Sequence, residues 1–396
     1  MITLKGKVHY VGINDRTKTL FEGLWPLPYG VTYNSYLIAD EKIALIDTVD
    51  VNYFDLFLEK IKEVIGERPI DYLVINHMEP DHSGSIRLLR QFYPNITLVS
   101  NKKALDMVEG FYGTGAQTQV IAEGGSLELG HHTLKFHMIP MVHWPETMVS
   151  YDTTEHILFA GDAFGCFGAM NGTPIDSMMD TTVYWSEMER YYSNIVGKYG
   201  APVQKALQKL GGLELEMICS THGPVWTGEN ISKVIDVYDR LSRYTTEEGV
   251  VIAYGSMYGN TQQMAETIAE ELAKEGIRKI VMHDVSRVNH SFILADIFRY
   301  KGLILGAPTY NASIYPQMEM LMSEIEMREI KNHYLGYFGS FSWACHSTKK
   351  LSVFSEKVSF ETVGAPVEMK QGMKECTRIA CRELAKAMAD RLKEDR

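Results

Sequence analysis

Residues 71–90, DYLVINHMEPDHSGSIRLLR, carry the chemistry around which the chain is organised. The apolar run Tyr72 to Ile75 predicts a buried strand, and Ser83 onward predicts the start of a helix with apolar residues at Ile86, Leu88 and Leu89. Between them stand His77, Glu79, Asp81 and His82. Potential ligands at this density on a strand-to-helix connection can fold around one point, because the turn brings alternate side chains to one side. Zinc sites favour nitrogen and sulfur, whereas added carboxylate hardens a site and suits iron or manganese.

Three more residues stand at comparable places. Leu127 to Pro140 alternates as a β-hairpin and delivers His143 on the loop MVHWPETM. Ile157 to Ala160 is a short apolar run followed by Gly161-Asp162-Ala163, and the buried-strand pattern Met217 to Ser220 runs into Thr221-His222-Gly223-Pro224. Alone, each has a structural reading: an isolated histidine is usually hydrogen-bonded filling, and an aspartate beside glycine caps helices as readily as it binds metal. Together they lie just past the carboxyl ends of predicted strands, the edge where open α/β sheets place their ligands. Four imidazoles and three carboxylates for two metals point to a non-haem diiron centre. His9, His137, His156, His283, His290, His333 and His346 have no ligand-spaced neighbour, and His131-His132 sits at a predicted hairpin turn, so all are read as structural.

At 396 residues the chain is long for one core, and two or three domains are expected. Hydrophobic residues at 45% and charged residues at 22% describe an ordinary globular protein. The start MITLKGKVHY lacks a signal peptide's apolar segment, and no run of about 18 apolar residues occurs, so a cytoplasmic location away from membranes is expected. Cys166, Cys219, Cys345, Cys376 and Cys381 are scattered, odd in number and contain no CxxC pair, which argues against a disulfide framework, a zinc ribbon or a fused iron–sulfur module. The net charge of -11 argues against nucleic acid as a partner. Gly113-Thr-Gly115 is half of a dinucleotide fingerprint without the surrounding strand and helix, and is read as a loop.

Short β-type runs at Tyr36 to Ala39 and Ile43 to Ile46 open the chain, and Asp55 to Ile65 has the spacing of an amphipathic helix. A boundary falls near residue 249, after a predicted helix from Ile231 to Tyr244. Beyond it, Val250 to Tyr254 is a β-branched strand, Ser256 to Thr261 a small hydroxyl- and glycine-bearing loop, and Gln262 to Leu272 a helix. Such a unit presents backbone N–H groups and hydroxyls to a phosphate at a helix N-terminus, and it is not a P-loop, since no lysine follows the glycine. Strand and helix then alternate every thirty or so residues, as in a doubly wound parallel sheet.

The segments TYNSYLI and ALIDTVD resemble the opening hairpin of the metallo-β-lactamase fold, whose dizinc hydrolases have histidine where this chain has Glu79. With the second half included, the chain resembles, over essentially its full length, the flavodiiron proteins or A-type flavoproteins, which reduce dioxygen or nitric oxide. The resemblance implies an αββα metallo-β-lactamase-like sandwich over residues 1–248 and a flavodoxin-like 2-1-3-4-5 sheet over 249–396. It implies one iron held by His77, Glu79 and His143, another by Asp81, His82 and His222, Asp162 bridging them, and Tyr191 near the pocket as a hydrogen-bond donor. FMN would place its phosphate on Ser256, Met257, Tyr258, Gly259, Asn260 and Thr261, and its ring against Pro308, Thr309, Tyr310 and Asn311 and against Ser340, Phe341, Ser342 and Trp343. Where the family often has a glycine beside the tryptophan, this chain has Ser342 before it and Ala344-Cys345 after it. The resemblance further implies a head-to-tail homodimer, or a dimer of such dimers, in which one subunit's FMN faces the other's irons. With no rubredoxin module in the chain, rubredoxin or a similar external donor would supply electrons. Two rival readings are a dizinc hydrolase with a flavodoxin-like module, and an FMN electron carrier with a vestigial metal site.

Overall fold

The computed structural model describes residues 2–113 and 115–395, so Thr114 of the Gly113-Thr-Gly115 run lies outside the described residues. The chain divides into two compact units, residues 1–242 and 243–396.

The first unit is built on two sheets packed face to face. One has seven strands in the order Ile2–Lys5, Val8–Tyr10, Tyr36–Ala39, Ile43–Ile46, Tyr72–Val74, Thr97–Ser100 and Thr118–Val120. Its pairing is antiparallel as far as Ile43–Ile46 and parallel beyond. The other has six strands, Ser126–Glu128, Thr133–Met138, Met148–Asp152, Ile157–Gly161, Met217–Ser220 and Val225–Thr227, with one parallel pair at Ile157–Gly161 and Met217–Ser220. Period-two alternation sends Tyr36, Ile38, Ala44, Ile46, Val74 and Val99 of the first sheet against Phe136, Met148, Ile157, Phe159 and Cys219 of the second. Each such large apolar side chain contributes roughly 2–3 kcal/mol by leaving water. Helices carry the polar outer faces: Phe54–Ile65 buries Phe57, Leu58, Ile61 and Ile65, and Lys102–Tyr112 is capped by Asn101, whose side chain accepts the Ala104 N–H.

The helix expected from Ser83 starts earlier. A short helix spans Pro80–Ser83 and a second Ile86–Phe92, because Pro80 has the fixed φ and missing N–H that suit a first helical position. Asp81 and His82 therefore ride on a helical turn and not on an open connection.

The second unit is a parallel sheet in the order Ile280–Asp284, Glu247–Tyr254, Tyr300–Tyr310, Lys331–Phe341 and Ser359–Thr362, the 2-1-3-4-5 arrangement, with Val367–Lys370 also pairing alongside Lys331–Phe341. The first of these strands in sequence begins at Glu247, just before the boundary expected near residue 249. One face packs on Asn260–Lys274 and Glu375–Glu394 through Met264, Ile268, Leu272, Leu384 and Met388. Helices His290–Arg299 and Ser347–Lys357 pack on the sheet as well. Strands buried on both faces explain the continuous apolar runs Val250–Ala253 and Leu303–Leu305. Among the described residues, no helix is long and apolar enough to cross a membrane.

Candidate dinuclear metal centre and nucleotide cleft

The strand ends of the first unit converge on two groups of donor side chains. His77, Glu79, His143 and Asp162 form one, and Asp81, His82 and His222 the other, with the donor atoms of each group within 4.8 Å of one another. All seven residues singled out in the sequence are here, and no further group of this kind exists among the described residues.

Asp162 stands between the groups, because Gly161 ends its strand at φ 56°, a left-handed conformation that turns the chain there. Its Oδ2 lies 3.1 Å from His143 Nε2 and 3.7 Å from His77 Nε2. Its Oδ1 lies 3.3 Å from His82 Nε2 and 3.8 Å from His222 Nε2. Glu79 Oε2 is 3.1 Å from His143 Nε2, and Asp81 Oδ2 is 3.4 Å from His222 Nε2. With metal–ligand bonds of about 2.1 Å, neighbouring ligand atoms sit roughly 3.0–3.4 Å apart; four of these spacings fall in that range, and the 3.7 and 3.8 Å ones lie a few tenths of an ångström outside it.

The unpaired atoms make the same case. His77 Nε2, both oxygens of Asp81, His82 Nε2, Asp162 Oδ1 and His222 Nε2 are buried without a hydrogen-bond partner. Orphaned buried polar atoms are costly and rare, and so many pointing at one place signal a group they bind. Nitrogen and carboxylate oxygen, with no sulfur, is the donor set of a hard to intermediate metal such as iron.

The electrostatics of the metal-free site follow. Burial would lower the pKa of His143 and His82, but the carboxylates of Asp162, Glu79 and Asp81 raise both to about 10. Burial would raise Glu79, yet its bonds to His143 and His77 bring it down to about 2, and Asp162 is held well below the usual carboxylate range despite full burial. Asp81, buried and facing the charge of Glu79, is raised.

Two supporting residues escaped the sequence reading. Glu146 Oε1 lies 2.7 Å from His77 Nδ1, and the Thr32 carbonyl lies 2.6 Å from His222 Nδ1. Each partner takes the outer nitrogen and leaves Nε2 facing inward. The segment Thr32–Tyr36 grips the His222 loop throughout. Asn34 donates through Nδ2 to the Ser220 carbonyl at 2.9 Å and the Gly223 carbonyl at 2.7 Å, the Tyr36 hydroxyl donates to Ser220, and Thr32 Oγ1 accepts the Gly223 N–H. Gly223 is required at φ +81°, where a Cβ would also strike Cys166 Sγ.

Tyr191 is buried with its hydroxyl unpartnered and its ring 5.8 Å from that of His222; Phe21 packs on both rings and Phe167 on that of Tyr191. Burial and the charges of Asp162 and Glu79 push its pKa well up, so it stays a neutral donor. A π-helical turn, Tyr192–Val196, follows it directly, a distortion frequent at functional sites.

In the second unit a cleft of about 360 Å³ is lined by Ser256, Met257, Tyr258, Asn260, Thr261, Pro308, Thr309, Ser340, Phe341 and Ser342. A second, of about 450 Å³, shares Met257, Tyr258, Thr309 and Ser342 and adds Tyr310, Asn311 and Trp343. Gly259 lines neither; it caps the helix Asn260–Lys274 at φ 88°, a conformation open to glycine. The first turn of that helix faces the cleft with the amide array that suits an anion. Ser256 Oγ accepts two of the local amides, from Gly259 at 3.1 Å and Gln262 at 3.3 Å, and so closes the loop on itself. Trp343 and Tyr258, each 89% exposed, leave aromatic faces beside the cleft for a planar ring system. Gln371 and Gly372 also line it and were not anticipated.

A metallo-β-lactamase-like sandwich with seven clustered side chains that could hold metal, joined to a flavodoxin-like sheet with a cleft at its strand ends, defines a class of modular metalloflavoprotein. Comparison with known proteins agrees with both halves: residues 31–223 match the ODP family beta lactamase and residues 252–384 match Flavodoxin. The chain is 34% identical over 366 residues to the rubredoxin-oxygen oxidoreductase of Megalodesulfovibrio gigas, covering 91% of this chain and 90% of that one. It is 31% identical to the anaerobic nitric oxide reductase flavorubredoxin of Escherichia coli, over 98% of this chain and 82% of that one. The flavodiiron protein of Giardia intestinalis superposes with a TM-score of 0.92 at 25% identity, over 98% and 95% of the two chains. The chain belongs to the flavodiiron proteins.

Proposed function

We propose that this protein is an FMN- and iron-dependent oxidoreductase that reduces dioxygen to water, nitric oxide to nitrous oxide, or both, with electrons from rubredoxin or a similar donor. One observation carries the proposal: two buried donor groups share the two oxygens of Asp162, on a polypeptide that also bears a flavodoxin-like cleft. The activities in the names of the Megalodesulfovibrio and Escherichia relatives support it, and neither the hydrolase nor the electron-carrier reading is favoured. When bound, FMN and an iron pair supply two electrons each, the four that carry dioxygen to two waters or four nitric oxides to two nitrous oxides.

The protein's own residues would act as follows. His77, Glu79 and His143 would hold one iron and Asp81, His82 and His222 the other, with Asp162 offering an oxygen to each group. Tyr191 donates its hydroxyl to bound substrate, while Phe21 and Phe167 keep bulk water away. Residues 256–261 hold the FMN phosphate, and the loops at 308–311 and 340–343 hold the ring, with Trp343 flanking it.

The chain acts in the cytoplasm, off the membrane and without nucleic acid, as a head-to-tail homodimer or dimer of dimers, with residues 1–248 carrying the metals and 249–396 the flavin. The acidic charge and five free cysteines support that setting. The test is anaerobic turnover of the iron- and FMN-loaded protein with reduced rubredoxin and each gas in turn. Consumption of dioxygen without peroxide, or formation of nitrous oxide, is expected; a colourless protein holding zinc sinks the proposal.

A further inference from the structure

Glu146 belongs to none of the ligand assignments, yet it is almost fully buried against the site. Its Oε1 accepts from His77 Nδ1 at 2.7 Å and from the Met78 N–H at 3.1 Å. The opposite nitrogen, His77 Nε2, is unpartnered and faces Glu79 and Asp162 at 3.6 and 3.7 Å. The proton of this imidazole therefore sits on Nδ1, between the ring and a carboxylate. His222, in the other group, shows Nδ1 to the neutral backbone carbonyl of Thr32 at 2.6 Å. The ring nitrogens of His82 have no hydrogen-bond partner at all.

Apart from this, the two groups are matched: each offers two imidazoles, one carboxylate of its own and one oxygen of Asp162. What distinguishes them is the carboxylate hydrogen-bonded to the outer nitrogen of His77, since the buried Asp47 acts on His82 through space and not through a hydrogen bond. A carboxylate drawing on the Nδ1 proton makes the ring a stronger donor through Nε2 than a carbonyl does, and stronger donation stabilises the higher valence of the bound metal.

We infer that Glu146 is a positioning residue that makes the metal at His77, Glu79 and His143 the last of the pair to be reduced and the first to be oxidised. The inference rests on the proposed iron pair. During stepwise reduction the first electron then goes to the iron of the Asp81, His82 and His222 group, and a half-reduced pair accumulates.

The test uses the full chain loaded with iron and FMN, with iron per chain measured first; absence of an iron pair from the native protein would remove the proposed function itself. Dithionite titration followed by electron paramagnetic resonance reads the yield of the half-reduced pair. The native protein is expected to accumulate it. Glu146→Gln, which keeps an acceptor but removes the charge, is expected to lower the peak yield severalfold with two irons still bound. Glu146→Ala, which also frees the ring, is expected to speed iron loss to a chelator by about 10–100-fold. A native protein with no half-reduced signal, a Glu146→Gln protein with two irons and the native yield, or a Glu146→Ala protein with native yield and native iron retention would each overturn the inference.

Discussion

Loading metal at neutral pH must expel protons from this site, and the ion pairs set the number. Without metal, His82 and His143 are both raised from 6.5 to about 10, against the opposing effect of burial, by the carboxylates of Asp162, Asp81 and Glu79. At pH 7 both rings are protonated, and a metal binds only the neutral ring. At least two protons therefore leave per chain, since His77 is raised as well, and the logarithm of apparent metal affinity climbs with a slope of at least about two between pH 7 and 9. A rise from 6.5 to about 10 corresponds to about 5 kcal/mol per ring. Metal binding has to overcome that handicap at low pH, and it fades as the pH approaches 10. The fold of the metal-free chain shows the mirror image. A raised imidazole stabilises it fully below pH 6.5 and loses that contribution as the pH climbs through about 10, so the Tm of the metal-free protein should fall from pH 7 to 10 while that of the loaded protein falls less. The assay is titration of chelator-stripped protein with ferrous iron under argon in weak buffer, with base added to hold pH 7. Release of no acid, or an affinity flat from pH 7 to 9, refutes the reasoning.

Other outcomes follow from single contacts. Tyr191→Phe removes an unpartnered buried hydroxyl, so it should leave the Tm unchanged or raise it while lowering turnover roughly 100-fold if the hydroxyl delivers a proton; unchanged turnover would reduce Tyr191 to packing. Trp343→Ala removes an 89% exposed ring, so thermal stability should stay put while FMN affinity, read by fluorescence titration, drops about tenfold; an unchanged Kd would place the flavin elsewhere. A mixed dimer pairing a His143→Ala subunit with a Ser340→Arg subunit should retain turnover at its one intact junction, and complete inactivity with both cofactors loaded would rule out the head-to-tail arrangement.

The fold was legible because its strands announce themselves. Tyr36–Ala39, Ile43–Ile46 and Met217–Ser220 stand where the apolar runs put them, and the helix Phe54–Ile65 stands where the spacing of Asp55 to Ile65 put it. The ligand types were legible because they cluster in sequence at 77–82 and recur at strand ends. The helix start at Pro80 was missed because tertiary placement of Asp81 and His82 favours an immediate turn over an open loop. Glu146 and Thr32 were invisible for a different reason. Their partners lie 69 and 190 residues away, and neither an acidic residue in a loop nor a backbone carbonyl in a strand looks different in sequence when it backs a histidine. Gln371 and Gly372 reach the cleft only because the last strand of the second unit is split between Ser359–Thr362 and Val367–Lys370, an interruption that composition does not foretell.

The grip of Thr32–Tyr36 on the loop bearing His222 has a consequence for the life of the protein between rounds of cofactor supply. The bonds from Asn34 and Tyr36 join amide and hydroxyl donors to backbone carbonyls and need nothing bound in order to form. A zinc finger collapses when stripped, because its ligands are its scaffold. Here the loop bearing His222 is braced from behind by contacts that do not involve the metal, so stripping the iron is expected to leave that loop in place.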